Sequence, residues 1–168
     1  MTNEVAVSLR PALVEDRFRI RRWLADPEVH AWWGNRASAE AEISLALESE
    51  SALCRMVEAN RVAIGYAHAL EIGLWTAERP SDLAPGTWHV GYLLATGQHR
   101  DIGTGAAVLH LLSAEVFATT LAVACTSVVS VRNEAAARAC ERAGFRWRRI
   151  WQDRLLGPSW LMLKERPV

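Results

Sequence analysis

The stretch GQHRDIGTGAAVLHLL, residues 97–112, decides how the rest of the sequence is interpreted. Gly103 and Gly105 directly precede an apolar run with helical spacing, which predicts a helix over 105–118. Glycines at a helix entrance let backbone N–H groups approach a phosphate closely, but they also occur in ordinary tight turns. Because the pattern fits both interpretations, the flanking segments must decide between them.

The segments on either side predict alternating strands and helices. WHVGYLLA (88–95) is predicted to be a strand, and TLAVACTSVVSV (120–131) is apolar and β-branched, as in a buried strand. Asn133 is predicted to cap a helix over 133–143, which Gly144 ends with a left-handed residue. The glycine turn therefore lies between two strands, at the start of a helix.

The outer segments complete a mixed α/β pattern within one predicted domain, residues 1–168. Residues 76–87, rich in Pro and polar residues, are predicted to form a loop. The remaining predicted elements are a strand over 5–11, helices over 14–26 and from the N-cap Ser38 to 50, a hairpin over 52–72 turning at 59–61, and strands over 145–152 and 159–166.

The amino-acid composition limits the kinds of molecule that this protein is expected to bind. The 168 residues are 51% hydrophobic and 23% charged, which is typical of a globular protein. Nineteen Lys and Arg balance nineteen Asp and Glu, so we expect no nucleic-acid surface. No apolar run in the sequence approaches the roughly 20 residues of a bilayer span, and the first ten residues lack a secretion signal. We therefore expect a cytoplasmic protein without a membrane partner, either a monomer or a homodimer.

Cysteine and histidine spacing predicts neither a disulfide framework nor a metal site. Cys54, Cys125 and Cys140 are odd in number and show no C-x-x-C pair, and the five histidines show no H-E-x-x-H pattern. Tryptophan is more informative, because Trp32 and Trp33 are adjacent among eight tryptophans. Neighbouring side chains on a helix or strand point in different directions, so at least one is expected to face a cleft or loop.

Two motifs in this order of elements resemble the GNAT superfamily of acyl-CoA-dependent N-acetyltransferases. RDIGTG matches the R/Q-x-x-G-x-G/A turn, with Arg100, Gly103 and Gly105 in register. NEAAARACERAGF resembles the N-x-x-A…E-x-A-G-F helix from Asn133 to Phe145. The resemblance implies the GNAT fold, an α/β (α+β) domain whose central mixed, mostly antiparallel sheet is flanked by helices. It also implies acetyl-CoA as cosubstrate, with no metal.

In this interpretation the N–H groups from Arg100 to Gly105 converge on the coenzyme A pyrophosphate, assisted by the helix dipole and the Arg100 charge. A bulge at Gly91–Leu94 is expected to free an N–H for the thioester carbonyl. The next strand, from Ala122, is expected to diverge and admit the pantetheine. The candidate cofactor residues are Leu93, Leu94, Arg100, Asp101, Ile102, Gly103, Thr104, Gly105, Asn133 and Ala136.

A closer resemblance, to the aminoglycoside 6′-N-acetyltransferases, covers nearly the whole chain. It is carried by RWLADPEVHAWWGN (22–35), IGYAHA (64–69) and YLLATGQHRDIGTG (92–105). The first two segments line the antibiotic site in that family, although core packing is the alternative role for each aromatic residue. The candidate substrate contacts are Trp23, Asp26, Trp32, Trp33 and Tyr66, with Glu78, Asp82 and Asp153 as further acidic anchors.

The sequence departs from those relatives at three positions. Cys140 stands where GNAT enzymes usually carry a tyrosine that protonates the leaving thiolate, and Gly91 and Val128 stand where the 6′-type enzymes carry aspartates. His89 and Tyr92 are candidate bases for the amine. Cys140 is a candidate weak acid, or else a small apolar wall beside the cofactor sulfur.

The sequence therefore predicts an aminoglycoside N-acetyltransferase that confers antibiotic resistance. With fewer acids and more aromatic residues, a less cationic aminocyclitol is favoured, specifically kasugamycin acetylated at its 2′-amino group. Two alternatives stay open: a GNAT enzyme that acetylates a protein N-terminus or a hydroxamate-siderophore precursor, and a non-catalytic acyl-CoA-binding module.

Overall fold

Seven strands form one sheet in the computed structural model, which describes residues 6–74, 79–95 and 97–168, with only the backbone of residue 98. The strands are β1 (Val7–Pro11), β2 (Leu53–Ala59), β3 (Val62–Glu71), β4 (Thr87–Leu94), β5 (Ala124–Ser130), β6 (Arg146–Asp153) and β7 (Gly157–Glu165). Their order is β1-β2-β3-β4-β5-β7-β6, and β4–β5 is the parallel pair in an otherwise antiparallel sheet. The predicted mixed, mostly antiparallel sheet is confirmed.

Within the described residues, five helices cover the two faces of this sheet. They are α1 (Asp16–Leu24), α2 (Pro27–His30), α3 (Arg36–Glu48), α4 (Ile102–Thr119) and α5 (Glu134–Arg142), and a short 3₁₀ turn (Ala31–Trp33) follows α2. One hydrophobic cluster lies between the sheet and α4–α5, and a second lies between the sheet and α1–α3. Alternation along β4 divides its residues between them, since Val90 and Leu94 belong to the first cluster and Leu93 to the second.

Several predicted turns and helix ends are confirmed, and local hydrogen bonds and backbone angles explain them. The hairpin turns at Asn60 and Arg61, whose φ angles of 51° and 64° suit a tight turn between antiparallel strands. Asn133 caps α5 by accepting a hydrogen bond from the Ala136 N–H at 3.2 Å. Gly144, at φ 95°, ends that helix in the predicted left-handed conformation.

Three helix starts differ from the sequence prediction. Asn35, not Ser38, caps α3, because the Asn35 side chain accepts a hydrogen bond from the Ser38 N–H at 2.8 Å. The short α2 was not predicted; it begins at Pro27 behind the capping side chain of Asp26. Helix α4 begins at Ile102, so both glycines of the motif lie inside its first turn rather than before it.

The predicted bulge in β4 is wrong, because β4 pairs with β3 in unbroken register from Gly65–Leu94 to Glu71–Trp88. The predicted divergence of β4 and β5 is confirmed instead. The two strands pair only from Thr87–Ala124 to His89–Thr126 and then separate. Separation, rather than a bulge, leaves one backbone edge of β4 without a strand partner beyond His89.

Helix α4 is, by length and composition, apolar enough to cross a membrane. Seven of its 18 residues are buried. Those residues pack between the sheet and α5, as expected of a core helix. Its apolar character is thus accounted for by packing within the fold.

Candidate active site

A cavity of about 670 Å³ opens where β4 and β5 separate. It runs from α2 and α3, past the diverging strands, to the starts of α4 and α5 and the β6–β7 turn. Among the described residues, the following predicted site residues line it: Trp32, Trp33, His89, Tyr92, Leu93, Leu94, Arg100, Asp101, Asn133, Ala136, Cys140 and Asp153. The separation of two strands thus brings most of the predicted site together.

The free edge of β4 presents backbone groups to this gap. The Tyr92 carbonyl accepts a hydrogen bond from Trp33 Nε1 at 3.2 Å, and the Leu94 carbonyl accepts one from Arg100 Nε at 2.9 Å, both from outside the sheet. The N–H and C=O of one strand residue point to the same side, so the N–H groups of Tyr92 and Leu94 also face away from β3. They are suitably placed donors for a carbonyl or amide lying in the gap.

The glycine motif is less open than the sequence predicted. Three of its six N–H groups already donate within the protein: Arg100 to the Gly97 carbonyl, Thr104 to Asp101 Oδ1 at 2.7 Å, and Gly105 to the Asp101 carbonyl. Hydrogen bonds from Thr104 lower the pKa of the Asp101 carboxyl, which therefore caps α4 as an anion. The N–H groups of Gly103 and Asp101 also interact with this carboxylate, so the helix entrance offers a phosphate mainly the Ile102 N–H and the positive end of the helix dipole.

Arg100 does not reach outward as expected for a phosphate contact. Its guanidinium donates to the carbonyls of Leu94 and Ala95, and Nη1 lies 3.0 Å from Glu28 Oε2. Asp26 lies 3.7 Å away on the other side. Arg100 therefore joins the end of β4 to α2, and its motif position serves the architecture of the cavity mouth.

Gly103 and Gly105 play different roles. A Cβ on Gly105 would lie 2.6 Å from the Tyr92 hydroxyl and 3.2 Å from the Ala139 Cβ, so this glycine makes room for packing between α4 and the sheet. A Cβ on Gly103 would meet mainly Asp101 Oδ1 at 3.2 Å. The prediction that both glycines clear space for a pyrophosphate is thus corrected for Gly105.

Tyr92 is not placed as a base for the amine. Its hydroxyl lies beside Gly105, and its side chain packs against the α4–α5 cluster, away from the sheet face that carries His89. Burial raises the pKa of this hydroxyl further from neutrality. Burial also raises the pKa of the Cys140 thiol to about 12, although a hydrogen bond with Ser127 opposes the shift. Cys140 is therefore a neutral thiol in the cavity wall.

A polar cluster missing from the sequence prediction lies on the opposite face. Glu42 Oε1 from α3 lies 3.5 Å from His89 Nε2 and 4.0 Å from His68 Nε2. The other ring nitrogen of His68 shares a 2.9 Å hydrogen bond with the Tyr66 hydroxyl. The ligand atoms of Glu42, His68 and His89 lie within 4.8 Å of one another, close enough to surround one cation. The spacing of cysteines and histidines along the chain predicted no metal site. That spacing could not reveal this cluster, because its three residues come from three separate elements.

Burial determines the protonation states in the cluster. It lowers the pKa of His89 to about 4 and, together with the nearby His89, lowers that of His68 to about 3. Both rings are therefore neutral near pH 7. Burial, assisted by the charge of Asp153, raises the pKa of Glu42 to about 7. Among these groups, Glu42 is the one poised to exchange a proton at neutral pH.

The Trp33 ring closes the space next to Gly91. A Cβ on Gly91 would lie 3.3 Å from the Trp33 ring and 3.7 Å from His89 Nε2. Trp33 also meets the edge of the His68 ring, with centroids 5.2 Å apart. Gly91, where an aspartate was noted as missing, therefore sits against an aromatic wall rather than open space.

Two segments that are distant in the sequence contact each other beside the cavity. Gly34 has φ 98°, and a Cβ there would lie 2.7 Å from Leu155 Cδ1 in the β6–β7 turn. Asp153 shapes that turn, because its Oδ1 accepts hydrogen bonds from the Leu155 and Leu156 N–H groups, each at 2.9 Å. Trp32 and Trp33, which directly precede Gly34, thus lie in a segment that contacts the β6–β7 turn.

Several predicted substrate contacts lie elsewhere in the structure. Tyr66 is fully buried in the α1–α3 cluster, and Trp23 packs against the same cluster. Asp26 caps α2, while Asp82 is paired with Arg149 on the surface. Glu78 lies outside the described residues, and described residues 79–86 of the predicted loop do not line the cavity. These assignments, Glu78 apart, are corrected to structural roles.

Glu42 is the residue that sequence reasoning missed, although a signal was present. The buried residues of α3 are Ala39, Ile43 and Ala46, and position 42 falls on the same helical face. A carboxylate on the inward face of a helix is unusual. The signal was hidden because Glu42 meets its partners from β3 and β4 only in the folded chain.

Comparisons with known proteins agree with this architecture. The family model described as an acetyltransferase (GNAT) domain matches residues 12–152. Among solved structures, aminoglycoside acetyltransferase AAC(6')-Ib in complex with coenzyme A and kanamycin is 23% identical, with 96% of this chain and 95% of that chain covered and a TM-score of 0.80. Spermidine N-acetyltransferase from Vibrio cholerae, in complex with CoA and spermine, is 13% identical over 95% of each chain, with a TM-score of 0.73. A search of curated proteins found no match.

Proposed function

Since the chain belongs to the acetyltransferase (GNAT) domain family, we propose that it transfers the acetyl group of acetyl-CoA to an amino group of an aminoglycoside. The observation that carries the proposal is one continuous cavity that joins the β4–β5 gap to a wall formed by Trp32 and Trp33. A thioester and an amine enter such a cavity from its two ends. Holding them together supplies a large part of the rate enhancement.

On the donor side, the free edge of β4 fits the pantetheine. The N–H groups of Tyr92 and Leu94 are aligned as a strand edge that a peptide-like amide chain can join. The start of α4 at Asp101–Gly103 fits the pyrophosphate, and Asn133 and Ala136 line the opposite wall. Acetyl-CoA supplies an activated acyl group with a good leaving thiolate, so Cys140 is assigned no proton transfer.

On the acceptor side, the walls favour a sugar amine. Trp32 and Trp33 offer flat apolar surface, which stacks on sugar rings and attracts ammonium groups. Gly34, directly after the two tryptophans, packs against Leu155, which lines the cavity. A cavity of about 670 Å³ with an aromatic wall supports a small-molecule substrate over a protein N-terminus. The structures of AAC(6')-Ib with kanamycin and with ribostamycin support the aminoglycoside class.

The charge around the cavity supports kasugamycin as the specific substrate, acetylated at its 2′-amino group, with resistance as the consequence. Four carboxylates line the cavity within the described residues: Glu28, Glu42, Asp101 and Asp153. Glu28 pairs with Arg100, Asp101 caps α4 and Asp153 holds the β6–β7 turn. Glu42 is the carboxylate that remains for a substrate ammonium. Kasugamycin has one amino sugar and a carboxylate of its own, which suits so few anionic contacts.

Coenzyme A release from acetyl-CoA tests the proposal with a panel of amines: kasugamycin, kanamycin, spermidine, a basic peptide and hydroxylysine. We expect turnover of aminoglycosides, highest with kasugamycin, and a product whose added acetyl group mass spectrometry places on the 2′-nitrogen. Turnover of the peptide or hydroxylysine alone would refute the aminoglycoside class. Rapid acetylation of kanamycin without kasugamycin turnover would refute the narrower substrate assignment.

A further inference from the structure

Glu42 turns one carboxylate oxygen toward the polar cluster without a matching donor. Within the described residues, Oε1 of Glu42 is buried and has no hydrogen-bond partner. The nearest ring nitrogens, His89 Nε2 at 3.5 Å and His68 Nε2 at 4.0 Å, are too distant for a strong hydrogen bond. A buried carboxylate in this condition is destabilised unless a cation or a proton reaches it.

No charge on the surrounding elements provides that cation. The groups facing this region are Tyr66 and His68 from β3, His89 from β4, Asp153 and Arg154 from the β6–β7 turn, and Glu28 and Arg100 at the cavity mouth. No Lys or Arg among the described residues lies within ion-pair distance of Glu42, and Asp153 adds like charge. With a pKa of about 7, Glu42 is relieved either by a proton or by a bound cation, and a cation at this position comes from a ligand.

The position of Glu42 links this charge to the reaction. Gly91 pairs with His68 across β3 and β4, and His89 precedes Gly91 by two residues, so all three lie on one sheet face. Glu42 and His89 both line the cavity where the strands begin to separate. An ammonium group directed at Glu42 would therefore lie next to the gap that holds the thioester.

From this geometry we infer that Glu42 is the proton acceptor that converts the bound ammonium of the substrate into the neutral, nucleophilic amine. The inference rests on the proposed function and names the catalytic residue of the same site. One proton passes from the ammonium nitrogen to Oε1 of Glu42. The amine nitrogen then bonds to the acetyl carbon, the carbon–sulfur bond breaks, and the departing sulfur receives the second nitrogen proton. Glu42 finally releases its proton to water.

The neighbouring histidines do not compete with Glu42 for the proton. Their imidazoles are neutral, and the low pKa of His89, about 4, makes it a weak acceptor at pH 7. The pKa of Glu42, about 7, lies where a general base is most effective. His68 is in turn oriented by the Tyr66 hydroxyl. Sequence analysis offered His89 and Tyr92 as candidate bases, whereas the geometry favours the carboxylate beside the His89 ring.

The test compares Glu42→Gln with Glu40→Gln, which removes an exposed carboxylate on the same helix that pairs with Arg36. With kasugamycin at pH 7, Glu42→Gln should lower kcat/KM by about 100-fold or more, the usual contribution of a general base. Glu40→Gln should stay within about twofold, since exposed ion pairs contribute little. Methoxyamine, which is already neutral at pH 7, should lose less than about tenfold with Glu42→Gln.

The wild-type pH profile provides a test that needs no variant. The kcat/KM for kasugamycin should rise with pH through a limb near the Glu42 pKa of about 7, because the ionised carboxylate accepts the proton. In Glu42→Gln this limb should move up to the pKa of the substrate amine. Calorimetric titration with coenzyme A should give equal affinities for both proteins, which shows that the variant is folded.

Several outcomes would overturn the inference. Equal losses with kasugamycin and methoxyamine would make Glu42 a structural or binding group rather than a base. Activity lost on chelation and restored by zinc would show that Glu42, His68 and His89 hold a metal instead. If Glu42→Gln turned over the amine as fast as the wild type, the role of Glu42 would be refuted and the proposed function would stand. No coenzyme A release with any amine would refute both.

Discussion

The two faces of the sheet differ in how well their buried polar groups are hydrogen-bonded. On the α4–α5 face, the buried Ser113 hydroxyl accepts a hydrogen bond from Lys164 Nζ and donates one to the His110 carbonyl. On the α1–α3 face, Glu42 Oε1 and His68 Nε2 are buried without hydrogen-bond partners among the described residues. Native proteins satisfy most buried polar groups, so unsatisfied ones concentrated beside a cavity indicate function rather than stability.

The difference shows how one sheet holds two reactants. The α4–α5 face is packed and contains a motif whose residues are adjacent in sequence, as suits a site for a common cosubstrate. The α1–α3 face assembles its polar cluster from α3, β3 and β4, which are separated along the chain. Substitutions on the first face should therefore affect stability most, and substitutions on the second should affect activity with the amine.

The largest effect is expected from Gly105→Val, with Gly103→Val as its matched control. The new Cβ at position 105 would lie 2.6 Å from the Tyr92 hydroxyl, so urea unfolding should show a loss of about 3 kcal/mol from overpacking. Gly103→Val should cost less than about 1 kcal/mol, since its Cβ would meet the Asp101 side chain at 3.2 Å rather than the packed interface of α4 with the sheet, yet weaken coenzyme A binding in calorimetry. Equal losses of stability for both variants would contradict the division of roles between the two glycines.

The next effect concerns the aromatic wall of the acceptor side. Trp33→Ala removes a ring that packs beside His68 and Gly91 and donates to the Tyr92 carbonyl. We expect kcat/KM for kasugamycin to fall about 100-fold, or about 2.7 kcal/mol, with little change in coenzyme A affinity. Trp147→Ala, at an exposed position on β6, serves as the control. If Trp33→Ala weakened only coenzyme A binding, its assignment to the acceptor side would be wrong.

A smaller effect on stability should follow from pH. Because the Glu42 pKa is raised to about 7 in the folded state, wild-type stability from this group is present at pH 4 and is lost as pH rises through 7. Glu42→Gln has no such loss, so at pH 8 it should gain on the order of 1–2 kcal/mol relative to wild type, compared with pH 5. Urea unfolding at both pH values measures the difference. If the stability difference between Glu42→Gln and the wild type were the same at pH 5 and pH 8, the Glu42 carboxylate would be well solvated.

The smallest effect is expected at Cys140. Its thiol is buried and neutral, with a pKa of about 12, so Cys140→Ala should lower kcat by less than about tenfold. Steady-state kinetics with saturating acetyl-CoA tests this directly. A loss above about 100-fold would instead assign proton transfer to the thiol. It would also place a catalytic group on the α4–α5 face.

Local rules predicted much of the fold and only part of the site. The hairpin at Asn60 and Arg61, the Asn133 cap and the Gly144 terminus were predictable because each depends on residues within a few positions. The separation of β4 from β5 was also anticipated, through family resemblance. The start of α4 was misplaced, since Asp101 caps the helix before the glycines, and the β4 bulge was not found.

The order of strands and helices, the glycine motif of α4 and the capped α5 follow from local sequence patterns, because periodicity and capping act over one or two turns. The folded arrangement places Gly105 against Tyr92, Arg100 at the cavity mouth and Tyr66 beside His68. It also brought Glu42 within reach of His89, 47 positions later in the chain. Contacts of this kind depend on how faces of distant elements meet, and burial then changes the pKa values that chemistry requires.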